Sequence, residues 1–267
     1  MSATLYIIGV GPGDPDLLTL KGARILENCP VIVSPKGSLK GSSTALTIVK
    51  GAVDLDDKES YELLFPMKKI PINSEVDKTV REAWLDAANL IIKSINQGKD
   101  VAFPTLGDPA IYSTGYYLFE TIREIAPDIP IKFIPGIPAM SSCSAATSTP
   151  ICLGDEMLAV IPATFADERI RQTLNMFDTI VLMKVHRVYD KIVGLLKELE
   201  LLDRSILVEK AGTKNERVIE NLEETTEAVH YFSTIIIRKN GCRPSQASYL
   251  HAVAVADMGS NCELTTA

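Results

Sequence analysis

Gly9-Val10-Gly11-Pro12-Gly13-Asp14-Pro15 closes the apolar run Thr4 to Val10, and Thr105-Leu106-Gly107-Asp108-Pro109 follows Val101-Ala102-Phe103. In both places a pattern of a buried strand runs into Gly-Asp-Pro, after which apolar residues recur at helical spacing. A third strand, Ile131 to Ile134, ends in Pro135-Gly136-Ile137-Pro138. Glycine admits close backbone approach, aspartate caps helix N-termini, and proline is pre-shaped for a first helical position. Three such turns at strand ends predict a single crevice.

The rest of the chain alternates helix and strand. Asp14 reads as an N-cap for a helix carrying Leu17, Leu18, Ile25, Leu26 and Cys29. Val31 to Val33 is a strand ending at Ser34-Pro35-Lys36-Gly37, and Ser43 to Lys50 is helical. Glu75 to Asn96 is the longest amphipathic helix, stopped by Gly98. Asp108 opens a helix bearing Ile111, Leu118, Phe119, Ile122 and Ile125, and Ala139 to Thr147 forms a helix of small residues. Met157 to Ile161, Thr179 to Met183, Ser205 to Lys210, Arg217 to Ile219 and Phe232 to Arg238 are strands. Helices are expected over Asp167 to Met176, Val188 to Leu199 and Leu222 to His230. The expected organisation is α/β in two domains, 1–130 and 131–240, followed by a frayed tail, 241–267.

Composition narrows the function classes. Hydrophobic residues are 46% and charged residues 23% of 267, the balance of a globular protein with ample core. No apolar run reaches membrane-spanning length and no secretory pattern opens the chain, so a cytoplasmic location and no membrane partner are expected. The net charge of −7 opposes non-specific attraction to nucleic acid. Five widely spaced cysteines lack a C-x-x-C pair, and His186, His230 and His251 stand alone, so neither a disulfide framework nor a metal site is indicated.

The first turn invites a dinucleotide reading, with a pyrophosphate at the helix dipole. Asp14 stands where that fingerprint needs its third glycine, and its charge would repel a phosphate. No G-K-[ST] follows, which excludes a Walker loop. The same charge suits a neutral or cationic ligand held by backbone groups, and S-adenosylmethionine, a sulfonium ion, fits that description as other small cations do. Ser141-Ser142-Cys143-Ser144 lacks G-x-S-x-G and reads as close helix packing rather than a nucleophile site.

The three turns, with Leu17-Leu18-Thr19, resemble the tetrapyrrole (corrin/porphyrin) methyltransferases in order from about Leu5 to about Lys239. Ser34-Pro35-Lys36-Gly37, Phe65-Pro66-Met67 and the run Phe103 to Tyr117 are most similar to the precorrin-2 or cobalt-factor II C-20 methyltransferases of cobalamin synthesis. The resemblance implies two αβα domains with mixed sheets, an S-adenosylmethionine cleft between them, and a homodimer. Cofactor contacts implied by motif are Pro12; Leu106, Gly107, Asp108 and Ile111; Pro138, Ala139 and Ser141; and Met183, Ala211 and Gly212. Leu106 departs from the glycine found there in uroporphyrinogen methyltransferases.

A meso carbon of a reduced tetrapyrrole attacks a sulfonium methyl directly, so the protein mainly aligns the reactants and accepts one proton. Asp14, Asp108 and Tyr112 are the candidate bases, with helix capping the competing role for the aspartates and packing for the tyrosine. Early corrin precursors carry many carboxylates, which calls for Lys36, Lys184 and Arg187, with His186 beside them. The rival readings are another acceptor on the same fold, whether another corrin position, ribosomal RNA or a modified histidine on a protein. A non-catalytic tetrapyrrole or nucleotide binder is the rival of a different class.

Overall fold

Leu5–Gly9 (β1) sends Leu5 and Ile7 to one face and Ile8 to the other, and all three are fully buried. A strand apolar on both faces belongs in the middle of a covered parallel sheet. The computed structural model describes residues 3–38, 40–66, 76–225 and 227–240. The expected tail, Met67 and Glu75 lie outside them.

The chain divides into two compact units, one up to Ala139 and one from Met140. In the first, β1 is followed by Leu20–Asn28 (α1), Val31–Lys36 (β2), Thr44–Ala52 (α2), Glu59–Leu64 (β3) and Lys78–Asn96 (α3). Val101–Thr105 (β4), Gly115–Ile125 (α4) and Ile131–Ile134 (β5) complete it. The sheet order is β3-β2-β4-β1-β5, and every pairing is parallel. This corrects the expectation of a mixed sheet here. It also moves the domain boundary: β5 pairs with β1, so a division at residue 130 would cut this sheet.

α1 and α2 cover one face, where Leu26, Leu46 and Val49 pack on Ile8 and Ile32. α3 and α4 cover the other, where Trp84, Ile91, Leu118 and Ile122 pack on Ile7, Val33 and Phe103. Val80, Trp84, Ala87, Ala88, Ile91 and Ile95 recur at helical spacing along α3, and Gly98 beyond its end takes φ +79°.

Two prolines shape the carboxyl edge of this sheet. Val101 N–H donates to Thr4 O and Val10 N–H to Thr105 O, so the odd-numbered residues of β4 bond toward β1. Pro104 therefore faces β2. By the same alternation Pro30 O and Lys36 O accept from Glu59 and Phe65 beyond β3, leaving Pro35 facing β4. The β2–β4 ladder holds only Val31 with Val101 and Ile32 with Ala102. Its next rungs would need amide donors that Pro104 and Pro35 lack. The carboxyl ends of these strands are thereby released from each other.

After the helix Ala139–Thr147 (α5), the second unit contains Leu158–Pro162 (β6), Asp167–Met176 (α6), Thr179–Met183 (β7) and Tyr189–Glu198 (α7). Ser205–Glu209 (β8), Arg217–Ile219 (β9) and Ser233–Arg238 (β10) follow. The order is β6-β7-β10-β8-β9, with β6 and β7 parallel and every contact of β10 antiparallel, so this sheet is mixed as expected. The helix expected over Leu222 to His230 reduces to a single 3-10 turn, Leu222–Glu224. The Tyr189 hydroxyl donates to Leu222 O at 2.8 Å and Glu209 takes the His230 N–H at 2.6 Å, so the segment is tied down residue by residue.

Candidate active site

The crevice expectation can be tested against the topology of the first sheet. From β1 the chain moves toward β2, and from β4 it moves the opposite way, to β5. The helices after them, α1 and α4, lie on opposite faces. Adjacent parallel strands whose connections diverge leave a crevice at their carboxyl ends. The turns Gly9 to Pro15 and Thr105 to Pro109 stand at that point, with Pro135 to Pro138 alongside and Lys36 ending β2.

Hydrogen bonds stitch the three turns together. Gly107 N–H donates to Gly11 O at 2.8 Å, and Gly11 N–H returns to Gly107 O at 3.2 Å. Asp108 Oδ2 accepts from Gly136 N–H at 2.9 Å while Oδ1 accepts from Ala110 N–H at 2.7 Å. A Cβ built on Gly136 would lie 2.3 Å from Gly107 O and 2.6 Å from Gly9 C, and one on Gly9 would lie 2.7 Å from Gly107 O. These two glycines are there for each other and for Gly107, so chains cross where the sequence suggested ligand approach.

Gly107 differs. It takes φ +71°, and a Cβ there would meet nothing nearer than Pro138 Cα at 3.8 Å. A side chain there would fit without a clash, in ordinary contact with the main chain of Ile137, Pro138 and Ala139. Of the expected cofactor contacts, Pro12, Leu106, Gly107, Asp108, Ile111, Pro138 and Ala139 thus gather on one sheet edge; Ser141 follows, exposed, in the first turn of α5. The Leu106 side chain packs against the core under α1 and α2. A backbone cradle that includes the Asp108 carboxylate suits a sulfonium better than a pyrophosphate.

Neither aspartate begins the helix expected of it. Asp14 Oδ1 accepts from Asp16 N–H at 2.9 Å and caps only the 3-10 turn Pro15–Leu17. Thr19 caps α1, its hydroxyl accepting from Gly22 N–H at 3.1 Å. After Asp108, Tyr112 turns left-handed at φ 49°, and Ser113 Oγ accepts from Gly115 N–H at 3.0 Å before α4 starts. Ser113 also bonds Thr105 Oγ1 at 2.7 Å, an anchor for this loop that sequence reading missed. Tyr112 is 43% exposed at the loop tip. Ser34, read from the sequence only as part of its motif, has a fully buried hydroxyl within β2 and no hydrogen-bond partner among the described residues.

In the second unit, Met183, Lys184, Arg187, Ala211 and Gly212 share another sheet edge. Met183 ends β7 opposite Thr234, and its carbonyl accepts from Ala163 N–H at 2.8 Å. Ala211 is buried beside Cys143, Ile206 and Ile236, and Gly212 N–H donates to Glu216 Oε2 at 2.7 Å. Burial holds the Lys184 ammonium below the usual lysine range, and burial together with Arg187 and His230 lowers His186. Cys143 is buried and its thiol is pushed up to about 12, which suits packing and not nucleophilic attack.

Among the described residues no group of three or more His, Cys, Asp or Glu is placed to hold a metal ion, and no helix is long and apolar enough to cross a membrane.

Comparison with known proteins agrees with the fold. The cobalt-precorrin-2 C(20)-methyltransferase of Salmonella typhimurium is 32% identical over 242 residues, covering 90% of this chain and 98% of that protein. The precorrin-2 C(20)-methyltransferase of a Sinorhizobium species is 30% identical over 238 residues, covering 86% and 93%. Uroporphyrin-III C-methyltransferase from Thermus thermophilus, solved with S-adenosylhomocysteine, shares the fold with a TM-score of 0.62 at 20% identity, over 89% of this chain and 98% of that one. The sequence profile of the tetrapyrrole (corrin/porphyrin) methylases matches residues 4–226, and the chain belongs to that family.

Proposed function

We propose that this protein transfers a methyl group from S-adenosylmethionine to C-20 of precorrin-2, or of its cobalt-containing counterpart, in cobalamin biosynthesis. The observation that carries the reading is 32% identity spanning 98% of the Salmonella C(20)-methyltransferase. The cofactor, when bound, supplies an electrophilic methyl on a sulfonium centre. The protein's part is positioning. Gly107, whose positive φ and lack of a side chain leave its main chain accessible beside Pro138 and Ala139, is the centre of the proposed cofactor cradle, and Pro12, Leu106, Ile111 and Ser141 are further proposed contacts by the family resemblance. Met183, Ala211 and Gly212 are further proposed cofactor contacts, by the family resemblance alone.

Asp108 uses both oxygens to hold the second and third turns together, and Asp14 caps a 3-10 turn. Both aspartates are read first as supports of the cradle. Together with Tyr112 they are the proposed acceptors of the proton released from the methylated carbon. Lys36, Lys184 and Arg187 are proposed to meet the carboxylates of the tetrapyrrole. A cytoplasmic homodimer completes the reading, on the strength of the family resemblance; sedimentation at a mass near twice 29.1 kDa checks the dimer.

The test incubates the full chain with methyl-labelled S-adenosylmethionine and either metal-free or cobalt-containing precorrin-2, locating the label by NMR. Transfer to C-20 of one of them is expected. Label at another carbon would move the assignment to another corrin position, and no transfer to any tetrapyrrole would overturn it.

A further inference from the structure

β7 and β8 flank β10 and both run antiparallel to it. Their last residues therefore come to rest on either side of its start, Met183 opposite Thr234 and Glu209 opposite Ser233. The residue after each is a lysine in the left-handed region: Lys184 at φ 61° and Lys210 at φ 50°. That conformation favours glycine, and a side chain carrying Cβ is held there only against a conformational cost. Two strand ends have thus kept a costly lysine at matching positions, two strand widths or about 10 Å apart.

Neither ammonium has a hydrogen-bond or ion-pair partner among the described residues. The nearest carboxylate in sequence, Glu209, is buried and committed. Its Oε1 accepts from His230 N–H at 2.6 Å, and its Oε2 lies 3.6 Å from Arg217 Nε. Glu216 is likewise taken by Gly212 N–H at 2.7 Å. Lys184 is partly buried, and desolvation is the whole cause of its lowered proton affinity, with no anion offsetting it. Arg187 adds a third cation on the same side, and His186 keeps a buried Nδ1 with no partner among the described residues. In a chain of net charge −7, Lys184, Lys210 and Arg187 gather three cations near these strand ends, while the neighbouring carboxylates Glu209 and Glu216 are already bonded to main-chain amides.

We propose that Lys184 and Lys210 form a two-point clamp for separate carboxylates of a polycarboxylate macrocycle, with Lys210 a specificity-determining residue. The inference rests on the reading of the protein as a tetrapyrrole methylase and adds Lys210 and the paired geometry to it. A ligand with carboxylates spread along its rim engages both prongs, whereas a monocarboxylate engages one. Each charge-assisted contact is expected to contribute about tenfold in affinity.

Lys184→Gly and Lys210→Gly remove the charge and relax the left-handed backbone together, so neither threatens folding through that turn. Binding of uroporphyrin III to the full chain, followed by fluorescence anisotropy, should weaken about tenfold in each variant. The loss should be recovered in Lys210→Arg, and calorimetric affinity for S-adenosylhomocysteine should be retained throughout. Porphyrin affinity unchanged in Lys210→Gly would overturn the clamp, as would an equal loss of both ligands. The two proposals fail separately: a wild-type protein that methylates no tetrapyrrole yet loses porphyrin binding in these variants keeps the clamp and refutes the assigned reaction.

Discussion

Replacing Gly136 with alanine attacks the place where the three turns are joined. The new Cβ would sit 2.3 Å from Gly107 O, 2.6 Å from Gly9 C and 2.7 Å from Gly9 O. All three are backbone atoms of the sheet's central strand ends, and none can swing aside as a side-chain tip would. Restoring van der Waals distance requires moving the third turn by about 1 Å, since ordinary contacts begin near 3.5 Å. That shift breaks the 2.9 Å bond from Gly136 N–H to Asp108 Oδ2. Overpacking costs about 1 to 3 kcal/mol and a hydrogen bond to a charged group about 1.5 to 3, so the sum is roughly 2.5 to 6 kcal/mol, about 4 at its middle. Trp84, the sole tryptophan, is buried in the first unit between Phe65 and Tyr117 and reports that unit's unfolding. With a urea slope of about 2 kcal/mol per molar, its fluorescence midpoint should fall by about 2 M. Gly37→Ala is the control, because a Cβ there meets nothing within 4 Å. A midpoint for Gly136→Ala within about 0.3 M of that control would refute the close-crossing account of this glycine, given that surface changes stay within about 0.5 kcal/mol.

Gly107→Val places a β-branched residue at φ +71° and covers the main chain proposed to meet the cofactor, so calorimetry should show S-adenosylhomocysteine binding abolished; unchanged affinity would contradict the cradle. Lys36→Ala should raise the KM for the tetrapyrrole several-fold and leave cofactor affinity alone, as steady-state and calorimetric titrations can show. Glu156→Ala strands Arg238, whose buried guanidinium bonds that carboxylate at 2.7 and 3.0 Å; a loss of about 3 to 5 kcal/mol should lower the melting temperature by roughly 10 °C or more. Lys184 has a folded-state proton affinity below its unfolded one, so its burial cost is fully present at neutral pH and fades as pH rises through the interval between the two values. Lys184→Met should therefore melt above wild type at pH 7, and the gap should close toward pH 10.

The parts of the site legible in the sequence are those fixed by local chemistry. Strand patterns and the repeated Gly-Asp-Pro placed Gly11, Gly107 and Gly136 at strand ends, and one crevice edge follows once β1, β4 and β5 are neighbours. The meaning of each glycine was not legible, because it depends on how near the opposite backbone lies: a Cβ on Gly9 or Gly136 would clash with it, and one on Gly107 would meet it only at ordinary contact distance. Asp108 illustrates the same limit. Its capping of Ala110 is a contact two residues along and readable, whereas its bond to Gly136 spans 28 residues and exists only because β5 lies beside β1. The division at residue 130 failed for that reason too, since a strand carries no mark of which sheet it will join. Lys210 was passed over because it reads as one surface lysine among many. Only the antiparallel placement of β10 between β7 and β8 turns it into the counterpart of Lys184. A residue's chemistry can be read from the chain, but its partner is supplied by topology, and in this protein the cradle and the clamp are both matters of partnership.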